Sequence, residues 1–131
     1  MRRSKVEYSN KELEKIENYL NGYLMNRKLL RLERYEREYF SPNEMDLEAL
    51  GEGPLARARM FEIRHFIMSL QNSDEKLFLY YRYIKGESIE NCAELLGIGR
   101  STAYRLKKRA LSFALEVRKK KEEAKAPEAV D

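Results

Sequence analysis

Little in this chain can form a disulfide, hold a metal or cross a bilayer. Its 131 residues include one cysteine, one histidine, three prolines and no tryptophan. A lone Cys92 excludes an intramolecular disulfide, and its place beside Ala93 in an apolar helical pattern marks a buried structural thiol. His65, between Arg64 and Phe66, has no second histidine or cysteine cluster to complete a metal site, so neither metal nor cofactor is expected. No run approaches the roughly 20 apolar residues that a membrane span requires. The basic start MRRSK leads into no apolar segment, so no signal peptide and no membrane partner are expected. Carboxylates are scattered along helical patterns without a partner base, nucleophile or phosphate-cradling loop. That excludes a catalytic constellation, and the chain is read as a non-enzyme. Strand-like alternation and internal repeats are missing too, which leaves an all-α fold.

Charge is what the chain has in abundance, and it is unevenly placed. The net charge is +4, from 26 Lys/Arg against 22 Asp/Glu. Residues 100–121 hold nine of the cations (Arg100, Arg105, Lys107, Lys108, Arg109, Arg118, Lys119, Lys120, Lys121) and one acid, Glu116. The rest of the chain is therefore net acidic. A cationic excess concentrated on one helix is the footprint of a nucleic-acid contact surface. For 118–121 a solvated helix end, whose cations suit the negative dipole terminus, explains the charge at least as well.

Periodicity divides the chain into four parts. Residues 1–41 carry a long N-terminal helix, capped by Ser9 or Asn10 with Glu12 reaching back. Its apolar positions Leu13, Ile16, Leu20, Tyr23 and Leu30 fall at heptad-like spacing, and Gly22 is a place for a bend. Arg27 interrupts the seam, so homo-oligomerisation through residues 11–40 and packing along the other helices stand as equal alternatives. Residues 42–54, punctuated by Pro42, Gly51, Gly53 and Pro54, read as a linker. Residues 55–121 form a helical domain, and 122–131 a disordered tail. Within the domain Ser73 caps one helix, which Gly86 stops, and Ser88 caps the next. Of the three tyrosines 80, 81 and 83, Tyr81 is expected in the core and the others half-buried.

The most informative stretch is 88–115, SIENCAELLGIGRSTAYRLKKRALSFAL. One helix spans 88–96 and a second begins at Arg100 or Ser101. Gly97 supplies the positive φ that the corner between them needs, and Ala93 is small enough for close helix approach. Beyond the corner Ala103, Leu106, Ala110, Phe113 and Val117 make a buried stripe. Ser101, Thr102, Tyr104, Arg105 and Lys108 lie off that stripe and are the candidate base readers. Arg100, Lys107 and Arg109 are the candidate phosphate contacts. This is the pattern of a DNA-reading helix-turn-helix, with double-stranded DNA as partner.

The residues DEKLFLYYRYIKGESI (74–89), then Ala93-Glu94-Leu95-Leu96-Gly97-Ile98, Ser101-Thr102-Ala103 and Arg109-Ala110-Leu111, resemble region 4 of sigma-70-type factors. Within that group the chain resembles phage and prophage late-gene regulators of the ArpU and RinA type. The resemblance covers about 55–117. It implies a sequence-specific transcription regulator of the bacterial (or phage-infected host) cytoplasm, with RNA polymerase as a further partner. Two departures stand out. Nothing resembles a strand-melting region, which argues against a complete sigma factor. Gly99 stands where a polar capping residue is common, so Ser101 is expected to cap the reading helix. Two other classes remain: a DNA-recognising assembly factor such as a phage small terminase subunit, and a helical interaction module without DNA binding.

Overall fold

The computed structural model describes residues 7–39 and 42–125, with side chains described over 7–39 and 53–124. Among these every regular element is helical: α1 (Asn10–Tyr39), α2 (Pro42–Met68), α3 (Asp74–Leu79), a π-helical turn (Tyr80–Ile84), α4 (Ile89–Leu96) and α5 (Arg100–Lys125). The starts follow local chemistry. Ser9 and Glu12 cap α1 reciprocally: the Ser9 N–H donates to Glu12 Oε1 at 3.0 Å and the Glu12 N–H to Ser9 Oγ at 3.2 Å. The Ser9 N–H, and then Lys119, hold the Glu12 carboxyl below its ordinary pKa. Ser73 caps α3 through the Lys76 N–H, and Ser88 caps α4 through the Asn91 N–H.

Residues 42–54, expected as a linker, are helical and continuous with the helix after them. Pro42 does occupy the first helical position, where its missing N–H is no loss. Pro54 sits inside α2, and a mid-helix proline costs about 3 kcal/mol. What holds the helix through it is α1, laid antiparallel alongside. Tyr19 meets Glu62 and Phe66, and a Cβ on Gly22 would meet Ile63 Cδ1 at 3.1 Å. One on Gly53 would meet Glu33 Oε1, also at 3.1 Å. Gly22 therefore serves close packing within a continuous helix. α5 likewise runs on to Lys125, past the expected start of the tail at 122; residues 126–131 lie outside the described ones.

The core is shared by all the helices. Leu13, Ile16 and Leu20 of α1 join Ile63, Phe66 and Ile67 of α2, Phe78 and Leu79 of α3, Tyr83 and Ile84 of the π turn. Ile89, Cys92 and Ala93 of α4 and Ala103, Leu106, Ala110 and Ala114 of α5 complete it. Burial pushes the Cys92 thiol above its ordinary pKa, as expected of an inert structural cysteine. Tyr83, not Tyr81, is the buried tyrosine; Tyr80 and Tyr81 are half-buried. The π turn is the reason. It inserts an extra residue into the helical repeat, so the inward positions run 78, 79, then 83, 84, where α-helical spacing reaches 81 and 82.

α4 ends in a left-handed residue, Gly97, at φ 70°. The Gly97 N–H donates to the Glu94 carbonyl (3.1 Å) and the Ile98 N–H to the Ala93 carbonyl (3.0 Å), a Schellman closure. Gly99, not Ser101, precedes the next helix: its carbonyl accepts the Ala103 N–H at 2.9 Å, and Ser101 lies within the first turn of α5. A Cβ at Gly97 would have nothing within 4 Å, so the glycine answers to φ alone. Gly97→Ala should therefore cost about 1–2 kcal/mol in urea unfolding, with Gly97→Asn recovering much of it. An equal loss for the two would show that packing matters there instead.

Candidate nucleic-acid interface

The candidate contacts gather on the outward face of α5. Ala103, Leu106 and Ala110 turn into the core. Ser101, Tyr104, Arg105 and Lys108 are exposed, and Thr102 is half-buried. Ser101, Arg105 and Lys108 follow one another at steps of four and three, so they share a helix face. Arg105 Nη2 donates to Thr102 Oγ1 at 3.3 Å, which splints the guanidinium along the first turn. The five candidate base-reading positions thus lie on one side of one helix. Ala93, 5% exposed, lies under the corner that orients it.

The other cations of α5 divide differently. Lys107 is half-buried, with its Nζ 3.3 Å from Glu17 Oε2 of α1. Arg109 Nε is 3.2 Å from Oε2 of Glu75, a carboxylate of α3 only 4% exposed. Arg100 Nη2 lies 3.3 Å from Glu90 Oε2, yet its side chain remains largely in solvent. Arg118 stacks on Tyr19, 3.8 Å from guanidinium carbon to ring centroid. Lys119 reaches Glu12 at 3.4 Å and the ring of Tyr8, and Lys121 lies over Phe66. Much of the positive run therefore clamps α1 and α2 onto α5. Among the described cations of α5, Arg105, Lys108, Lys120 and Lys121 have no carboxylate within ion-pair distance.

α1 frames the exposed face of α5. Asn10, Leu13, Glu14 and Glu17 run along one wall of a shallow groove of about 370 Å³, and Tyr104, Lys107, Lys108 and Leu111 along the other. Glu17 is the joint of the assembly. Its Oε2 accepts the Tyr83 hydroxyl at 2.7 Å as well as pairing with Lys107. Burial, and then Glu17 itself, hold the Tyr83 hydroxyl protonated far above its ordinary range. Tyr19 is pushed up to about 12 by burial and by its bond to Glu62. Glu17, Glu75 and Tyr19 were not marked by the sequence. They act across 34 to 90 residues of chain, a separation that local periodicity does not report.

Among the described residues no helix is long and apolar enough to cross a membrane, and no group of three or more His, Cys, Asp or Glu is placed to hold a metal ion. No curated protein and no solved structure matches the chain. A family model does, over residues 46–116, which takes in most of α2, all of α3, the π turn and α4, and the part of α5 that carries the exposed face. That span is more than half of the chain, and the protein belongs to the DUF1492 family, described as proteins of unknown function.

Proposed function

We propose that this protein is a sequence-specific double-stranded DNA-binding regulator of transcription. In this reading α4, the Gly97 corner and α5 act as a helix-turn-helix, with the first turns of α5 in the major groove. The observation that carries it is the contrast on α5. Lys107 and Arg109 are drawn into intramolecular pairs, while Arg105 and Lys108 stand unpaired by carboxylates on an exposed face with Ser101, Thr102 and Tyr104. Unneutralised cations beside hydrogen-bonding side chains suit phosphates and base edges together. Arg105 is the principal base reader, since a guanidinium bonds bidentately to guanine, and its Thr102 splint limits the rotamer freedom lost on binding. Phosphate contact falls to Lys108 and the outward-reaching Arg100, with Lys107 reassigned to stability. The resemblance to sigma region 4 adds RNA polymerase as a further partner.

The test is selection of bound duplexes from a random pool with the full chain, followed by titration across salt. An enriched sequence motif, with affinity falling linearly in log salt, is the expected outcome. Recovery of random sequence, or no retention at low salt, would overturn the reading in favour of a helical interaction module.

A further inference from the structure

The outer half of α1 carries an apolar stripe that the rest of the described chain leaves uncovered. Met25 is 69% exposed, Leu29 39%, Leu32 55%, Tyr35 59% and Tyr39 69%. Met25, Leu32 and Tyr39 are seven residues apart, with Leu29 and Tyr35 flanking the line, which is the geometry of a coiled-coil seam. It is not the stripe of Leu13, Ile16 and Leu20, which is spent in the core, nor the side bearing Gly22 and Glu33, which α2 covers. The rings of Tyr35 and Tyr39 already pack against each other at a 45° tilt, centroids 4.7 Å apart.

We infer that this stripe is a homodimer interface, in which α1 of one copy packs antiparallel against α1 of a second around a two-fold axis at Leu32. Antiparallel pairing about Leu32 sets Met25 against the partner's Tyr39 at both ends, so each flexible thioether meets a ring. It also lays the stem of Lys28 along the partner's Tyr35 and brings its ammonium toward the partner's Glu38 on the rim. Both Lys28 and Glu38 are exposed in the single chain. Parallel pairing would instead set Lys28 against Lys28 inside the seam, which like-charge repulsion disfavours. The size also fits. Covering these five side chains on two copies removes about 1,000 Å² from water, near the lower bound for a specific interface. This inference stands apart from DNA binding, because the seam and the outward face of α5 share no residue.

Sedimentation equilibrium of the full chain at micromolar concentrations should show a reversible dimer. Leu32→Glu puts a carboxylate on the two-fold axis in both copies and should weaken association at least about 100-fold. The same variant should keep the helical circular dichroism and melting of the dilute wild type, because Leu32 lies on the outside of α1. Orientation is read by mixing a Met25→Cys protein with a Tyr39→Cys protein under mild oxidation; buried Cys92 is out of reach. The mixed 25–39 crosslink is expected. A monomeric wild type, or a Leu32→Glu protein that dimerises unchanged, would overturn the interface and leave the stripe to a different protein. Dominant 25–25 crosslinks would overturn the antiparallel arrangement.

Discussion

Arg105→Ala should lower affinity for the selected duplex about 5- to 150-fold, the equivalent of about 1–3 kcal/mol for a bidentate base contact. Affinity for random duplex should fall far less, because that affinity comes from phosphates. Stability should hardly change, since Arg105 is exposed and its one intramolecular bond is local. Lys107→Ala provides the opposite signature. It should lower the melting temperature, by removing one of the two partners of Glu17, while leaving the salt dependence of binding as it was. A phosphate-contacting lysine would instead reduce the slope of log affinity against log salt by about one unit. Fluorescence anisotropy of the two variants on cognate and random duplexes, each across salt, separates the roles. Equal losses for Arg105→Ala on both duplexes would remove it as a reader.

Which parts were legible in the sequence follows from the range of the interactions that made them. Caps and corners are local: Ser9 with Glu12, Ser73, Ser88 and the left-handed Gly97 act within a few residues, and each is where its residue type implies. The buried face of α5 follows its 3.6-residue period through Ala103, Leu106 and Ala110, but beyond them Leu111 and Ala114 are the buried residues and the expected Phe113 and Val117 are only half-buried. What could not be read was long-range or out of period. α1 holds α2 helical through Pro54, although Gly and Pro composition marks that segment as a break. The π turn breaks the period that points to Tyr81 rather than Tyr83 as the core tyrosine. Charge counting located the basic helix but could not tell a cation held by a distant carboxylate from one left in solvent. Lys107 and Lys108 are neighbours with opposite circumstances, because Glu17 lies 90 residues before one of them in sequence and beside it in space. The heptad through Leu13, Ile16 and Leu20 is buried in the core and interrupted by Arg27, whereas the exposed stripe through Leu32, on which the proposed dimer rests, lies elsewhere on the cylinder.

The largest stability effect should come at Tyr83, where three helical elements meet in one side chain. Its ring is 1% exposed in the core and its hydroxyl donates to Glu17, which in turn holds Lys107. Tyr83→Ala should cost about 3–5 kcal/mol through the cavity alone, a large share of the roughly 5–15 kcal/mol that stabilises a domain. Tyr83→Phe keeps the ring and loses the hydrogen bond to a carboxylate, for about 1.5–3 kcal/mol. The two variants differ again with pH. The folded state raises the Tyr83 pKa above the unfolded value of about 10. The stability this contributes is fully present below that value and is lost progressively as pH rises above it. Tyr83→Phe has no such proton to lose, so its stability should decline less steeply above pH of about 10, and the gap between the two proteins should narrow. Tyr19 titrates in both proteins and cancels from the difference. Urea unfolding of wild type and Tyr83→Phe on either side of the tyrosine range measures this directly. A gap that stays constant with pH would mean that the Tyr83 hydroxyl is neither buried nor held against Glu17.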